Sequence, residues 1–247
     1  MHLPLHLFVS ERLREQIING QLQPSEQLPS EHQLMAAFGV SRITVRRAIT
    51  NLVNQGLVVV QQGKGAFVKE QRKVIHSLSN PLIFYEEDMA RQGVTSAIQT
   101  LVFEPVIPPP EVRSALNLES TRSKVYLQKK LLLLNGDPVG VDITYILPNL
   151  GKNYAKELQT QMTFPVLEKN GITIDRIEAT LECTHADHEI SQYLTVPLGS
   201  PLLVYCHTAY TVGNQPILHG KAVSRGDRLC YSVVLHRNSN RGVDNHL

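Results

Sequence analysis

Apolar residues in the first seventy positions recur at helical spacing in three short stretches, followed by a hairpin. Leu5 to Asn19 predicts a first helix with Leu13, Ile17 and Ile18 facing inward, stopped by Gly20. Ser30-x-x-Gln33 is a capping-box pattern and opens a second, short helix. Phe38-Gly39-Val40 has the length of a tight turn, and Ser41 is the N-cap of a third helix. In that helix Val45, Ala48, Ile49 and Leu52 share one face and should pack inward, leaving Arg42, Ile43, Thr44, Arg46 and Arg47 outside. The hairpin that follows carries Gly63-Lys64-Gly65 at its tip.

Beyond Val68 the run Lys69-Glu70-Gln71-Arg72-Lys73 has no apolar periodicity, and residues 71–80 read as a linker. The pattern then alternates between strands and short helices. Pro81–Gln92 reads as a helix, Ile98–Ile107 as a strand, and Val112 to Leu118 as a helix after a triple-proline break. Val125–Leu134 and Val139–Leu147 flank Asn135-Gly136-Asp137-Pro138, a strong hairpin turn. Phe164–Asn170 suggests a helix, Ile172–Cys183 a strand and Ala186–Leu194 a helix. Leu202–Val212 and Gln215–Ser224 flank Gly213-Asn214, and Cys230–Leu235 is a last strand. Hairpins with inserted helices imply an α+β domain on a mostly antiparallel sheet over residues 81–238, with a tail at 239–247.

Composition adds little until it is divided. The 247 residues are 42% hydrophobic and 19% charged, which is globular, and the net charge is +2. Residues 1–72 hold eight Lys/Arg and five Asp/Glu, a balance of +3, while the rest carries −1. The basic excess therefore sits with the helical segment. Cys183, Cys206 and Cys230 form no CxxC and are expected to be buried reduced thiols in a cytoplasmic protein. No targeting signal or bilayer-spanning run is visible, so no membrane partner is expected.

The third helix carries the chemistry. Three guanidiniums and the Thr44 hydroxyl lie within about one and a half turns of a helix N-terminus, an end that already favours phosphate. Arginine is also shaped for bidentate contact with guanine or phosphate. An ordinary solvated basic face is the alternative. The sharp caps, the turn length and a glycine-flanked lysine, where backbone can approach a sugar-phosphate ridge, weigh against it. The expectation is a winged helix-turn-helix on double-stranded DNA over residues 1–70.

These residues resemble the GntR family of bacterial transcription regulators. The resemblance rests on Gly20-Gln21-Leu22-Gln23-Pro24, Leu28-Pro29-Ser30-Glu31, Val40-Ser41-Arg42-x-Thr44-Val45-Arg46 and Gly56-Leu57-Val58. It implies a recognition helix in the major groove and a wing at the minor groove. His32, Ser41, Arg42, Thr44, Arg46, Arg47, Gly63, Lys64 and Gly65 become the candidate DNA contacts. His32 stands where many relatives have a DNA-touching arginine, and a neutral imidazole neutralises no phosphate.

Residues 78–237 resemble the UTRA effector domain of the HutC-type subfamily, whose fold is similar to chorismate lyase. The motifs include Tyr145-Ile146-Leu147-Pro148, Gly213-Asn214-Gln215-Pro216-Ile217 and Arg225-Gly226-Asp227-Arg228. The resemblance implies a small-molecule effector, and Thr95, Lys130, Asp142, Tyr145, His219 and Tyr231 are the candidate pocket residues. Relatives that sense phosphorylated amino sugars have a second basic residue where this chain has Leu132, and a Glu-Tyr where it has Leu218-His219. Phosphate needs several positive or N–H partners, so an amino-acid- or carboxylate-like ligand is favoured over a sugar phosphate.

Glu182, His185, Asp187, His188 and Glu189 could suggest zinc, but a strand-to-helix junction uses Asp and His for capping, so neither metal nor other cofactor is expected. The leading function is a metabolite-responsive repressor acting as a homodimer on a pseudo-palindromic operator. The alternative is an enzyme on the chorismate-lyase-like fold, which rests on fold analogy alone.

Overall fold

A computed structural model describes residues 4–69, 73–78 and 85–234, in two compact units. In the first, α1 (Leu5–Ile18), α2 (Glu31–Phe38) and α3 (Arg42–Asn54) precede β1 (Val58–Gln61) and β2 (Gly65–Val68), an antiparallel hairpin. Val9, Leu13, Leu34, Val45, Ala48 and Leu52 are fully or almost fully buried together. Ile49 packs at the margin. Ile18, expected inside, is 60% exposed. Five residues beyond Leu13 it lies about 140° around the helix, whereas Val9 and Ile17 stay on the Leu13 face. The Asn51 side-chain amide donates to Ser10 Oγ at 2.8 Å and ties α3 to α1.

Ser30 Oγ accepts from Gln33 N while Gln33 Oε1 accepts from Ser30 N, completing the capping box. Gly39 ends α2 in the left-handed region at φ 64°, where a side chain is disfavoured. Behind the hairpin, Leu28 N donates to Ala66 O and Val68 N to Glu26 O, so the segment before α2 braces the second wing strand.

The second unit holds a six-stranded, wholly antiparallel sheet. Its strands are β4 (Ser96–Val106), β5 (Val125–Leu134), β6 (Asp137–Ile146), β7 (Ile174–His185), β8 (Pro201–Thr211) and β9 (Gln215–Arg225), in spatial order β4-β5-β6-β9-β8-β7. Helix α4 (Tyr85–Arg91) precedes β4 and α5 (Pro110–Ala115) links β4 to β5. Helices α6 (Pro148–Asn153), α7 (Ala155–Leu158) and α8 (Thr163–Lys169) fill the β6–β7 crossing, and α9 (His188–Leu194) follows β7. The Asn135-Gly136 and Gly213-Asn214 turns fall where the sequence places them. Leu158, Val166, Leu167 and Leu218 bury the helical crossing against the sheet.

Two features depart from the sequence reading. The supposed linker contains a strand, β3 (Val74–Ser77), paired in parallel with β10 (Leu229–Ser232). That strand is four residues long and its partner lies more than 150 positions away, so no local pattern announces it. Helices α6 and α7 were also unforeseen, although Pro148 at the first turn of α6 is a start signal. Cys183 is exposed rather than buried, because β7 is the sheet's edge, and all three cysteines are free thiols. The expected start of α4 at Pro81 and the tail at 239–247 lie outside the described residues. Among the described residues, no helix is long and apolar enough to cross a membrane.

Candidate nucleic-acid interface and ligand cavity

The Ser41 cap starts α3 and orients its first turn. Ser41 Oγ accepts from Thr44 N at 3.3 Å and lies 2.9 Å from Thr44 Oγ1, holding that hydroxyl at the N-terminal end. Arg42 and Arg46, one turn apart, both reach back to α2. Arg42 Nε donates to Glu31 Oε2 at 2.6 Å and Arg46 Nε to Glu31 Oε1 at 2.8 Å. The two hydrogen bonds from Arg42 and Arg46 hold the Glu31 carboxyl below the usual carboxylate range. Both guanidiniums remain about two-thirds exposed, so each is steered by one edge and free at the other. Ile43, 67% exposed between them, is an apolar surface suited to a thymine methyl. Arg47 and His32 are also exposed.

At the wing, Gly63 and Gly65 take φ of 75° and 119° and leave Lys64 exposed at the tip. Gln27 Nε2 donates to Lys64 O at 2.7 Å and pins the tip from below. Glu31 and Gln27 are the residues that sequence reasoning missed here. Glu31 was visible within the Leu28-Pro29-Ser30-Glu31 motif, but its partnership with α3 is a tertiary fact.

The second unit holds a partly open cavity of about 410 Å³. Its wall alternates by strand parity: Leu132 from β5, Asp142 and Thr144 from β6, Leu218, Ala222 and Ser224 from β9, Tyr205 and His207 from β8, and Ile177 and Ala179 from β7. His76 and Ser77 of β3, Tyr231 of β10, Tyr85 of α4 and Phe164 of α8 close it. Six rings form a contiguous arc along it. Tyr85 meets His76 at 5.7 Å, His76 meets Tyr231 at 6.0 Å, and Tyr231 stacks on Tyr205 at 5.5 Å. Tyr205 stacks on His207 at 5.1 Å and Phe164 follows at 5.8 Å. Burial pushes Tyr231 up to about 12, with smaller contributions from Tyr205 and Asp142, and pulls the His76 and His207 imidazoles down. Tyr85 OH and His207 Nδ1 are buried without a hydrogen-bond partner among the described residues.

Of the six expected pocket residues, Asp142 and Tyr231 line this cavity. Lys130 is the cross-strand partner of Asp142 and shares its sheet face, but it is fully buried and not itself part of the lining. Its Nζ donates to Gln161 O at 2.6 Å and more weakly to Thr163 Oγ1 at 3.4 Å, and burial lowers it to about 8. Tyr145 and His219 do not belong. Tyr145 is three residues from Asp142, an odd offset that turns it to the other sheet face, among Val112, Leu116 and Val125. His219 pairs directly with Tyr145, so it shares that face, and its Nδ1 lies 2.8 Å from Thr208 Oγ1. Thr95 is exposed, its N–H bonded to Asn135 Oδ1 at the β5–β6 turn. The missed Tyr205 could have been found by register: from Asp142 the pairing runs to Ala222 and on to Tyr205.

Asp187 of the His-rich junction caps α9, its Oδ1 accepting from Ile190 N at 2.8 Å, and His188 Nε2 lies 3.2 Å from Gln192 Nε2. Among the described residues no group of three or more His, Cys, Asp and Glu side chains is placed to hold a metal.

A winged helix-turn-helix with a basic recognition face, followed by a unit with an aromatic-lined cavity, defines a ligand-sensing transcription regulator. Residues 5–68 match the bacterial regulatory proteins of the gntR family and residues 91–229 match the UTRA domain. The chain belongs to the GntR family, in its UTRA-bearing branch. It is 30% identical over 236 residues to the HTH-type transcriptional repressor NagR of Bacillus subtilis, covering 95% of this chain and 96% of that protein. It is 27% identical over 241 residues to the mannosyl-D-glycerate transport/metabolism system repressor MngR of Escherichia coli, covering 97% and 99%. PhnF from Mycobacterium smegmatis has the same fold, with a TM-score of 0.64 at 19% identity over 92% of this chain and 99% of that one.

Proposed function

We propose that the chain is a metabolite-responsive repressor that binds a pseudo-palindromic operator as a cytoplasmic homodimer and is released or repositioned by a small molecule in the cavity. The observation that carries this reading is the course of β3. It begins six residues after the second wing strand ends, and His76 and Ser77 within it line the cavity. A ligand that grips His76 therefore acts on the chain segment leading directly from the DNA-binding unit. Only a ligand with different affinities for two arrangements of that segment can shift operator binding. On the DNA side, Arg42, Thr44 and Arg46 read the groove, Ser41 and Arg47 hold phosphate, and Gly63, Lys64 and Gly65 carry the wing contact. His32 adds a weak contact. One such module contacts too few base pairs for useful specificity, which favours the dimer.

An enzymatic role has less support. The cavity's carboxylate, Asp142, accepts from Thr144 Oγ1 at 2.9 Å, and the cysteines lie outside the lining. The test is an electrophoretic shift on DNA from just upstream of the gene, with and without a metabolite panel. A specific complex released by one compound is expected, and no specific complex at moderate salt would overturn the reading.

A further inference from the structure

The cavity's charge is one-sided. Asp142 is the formally ionic side chain among its lining residues. Thr144 occupies Oδ2, while Oδ1 accepts no hydrogen bond among the described residues. The nearest buried cation, Lys130, is engaged with Gln161 O and Thr163 Oγ1 and forms no ion pair with Asp142 among the described residues. Burial disfavours the charged forms of the two imidazoles of the ring arc, and His76 Nδ1 lies 3.1 Å from Asp88 Oδ2, a carboxylate outside the lining.

An anion placed here would face the Asp142 carboxylate, which has no ion-pair partner among the described residues, with phenol and imidazole groups as its main recompense. That arrangement is unfavourable. A protonated nitrogen offsets the Asp142 charge, and the tyrosine rings that line the cavity are electron-rich surface that attracts cations. Tyr205 and Tyr231 stack on each other with centroids 5.5 Å apart, so the gap between them is not itself the cation's place. Tyr85 OH and His207 Nδ1, which have no hydrogen-bond partner among the described residues, are left to orient the remainder of the ligand.

We infer that the effector is a compact organic cation, a protonated amine on a flat or hydroxyl-bearing frame, with its nitrogen on Asp142. This rests on the cavity being the effector site, and it replaces the carboxylate-like ligand expected from sequence. A carboxylate would meet no lining cation.

The chain has no tryptophan, and three of its eight tyrosines line the cavity, so intrinsic tyrosine emission is a local reporter. The experiment titrates full-length protein with two matched series: phenethylamine, phenylacetamide and phenylacetate, then glucosamine, glucose and glucose 6-phosphate. The ammonium member of at least one series should bind about tenfold tighter than its anionic counterpart, a difference of about 1.4 kcal/mol. Asp142→Asn should abolish that preference while leaving binding of the neutral member of the series unchanged.

Equal or tighter binding of an anion overturns the inference. If Ala179→Trp, which fills the cavity from the exposed edge strand, abolishes that anion binding, the site stands and only the ligand class falls. If Ala179→Trp leaves it untouched, the site falls as well. Failure of both amines to give saturable quenching at about 10 mM also overturns the inference, since that is weaker than any useful effector affinity.

Discussion

The Nε of Arg42 lies 2.6 Å from Oε2 of Glu31, an ion pair between the first residue of the recognition helix and the first residue of the helix before it. Because Arg46 takes the other oxygen, one carboxylate sets the direction of two guanidiniums. An anion on a DNA-binding face weakens phosphate attraction, so its presence trades affinity for geometry. Glu31→Gln should therefore raise affinity for random-sequence DNA, steepen the salt dependence by about one charge, and cut the operator-to-random ratio by about tenfold. Salt titrations on both DNAs measure this. A ratio that holds or rises would show that Glu31 is not a positioning group.

Arg42→Ala and Arg46→Ala should each weaken operator binding by roughly 1–3 kcal/mol with partial loss of sequence selectivity. Unchanged affinity in both variants would remove α3 as the reading helix.

At Gly65 an added Cβ would stand 2.6 Å from Gln27 Nε2, and the backbone is at φ 119°. Gly65→Ala should displace the wing, because Gln27 must leave Lys64 O and the strained backbone costs about 1–3 kcal/mol. Operator affinity should fall while the helical content, read by circular dichroism, stays constant.

Lys130 gives the effector unit a pH signature. Its pKa falls from the usual lysine value to about 8 in the fold, so between pH 8 and 10.5 the unfolded chain binds more protons than the native one. Stability from this group rises with pH through that window. Relative to Lys130→Met, wild type should gain at most about 1.4 kcal/mol per pH unit there. Denaturant melts of the two proteins at pH 7.5 and 9.5 would show it, and parallel behaviour would place the lysine in a solvated site.

Gln92 clamps β3: its Oε1 accepts from Ile75 N at 2.9 Å and its Nε2 donates to Ile75 O at 2.7 Å. Gln92→Ala should loosen that strand and shift the effector midpoint by about tenfold, since each lost hydrogen bond is worth about 1 kcal/mol. An unshifted midpoint would mean that β3 is not the segment the ligand acts on.

The winged helix was legible because its determinants are local. Two serine caps, a left-handed glycine and a four-residue apolar rhythm are all read within one or two turns of chain. The sheet hairpins were legible for the same reason. The cavity was half legible. Asp142 and Tyr231 were found by resemblance, yet Tyr145 and His219 were assigned to it although strand parity sends both to the opposite face. The ring arc joins residues from β3, α4, α8, β8 and β10, and no spacing rule links them. Parity from Asp142 along β6 alone would have excluded Tyr145, while reaching Tyr205 also needs the non-local β6–β9 pairing that no turn announces.

The parallel pairing of Val74–Ser77 with Leu229–Ser232 also bears on how the molecule can be divided. A fragment cut to the span of the UTRA match, residues 91–229, would lose His76, Tyr85 and Tyr231, with all of β3 and all but the first residue of β10. The smallest piece that retains the cavity's lining begins at Val74 and runs through Ser232. The cavity's lining thus starts almost where the wing ends, eight residues after Val68, at His76.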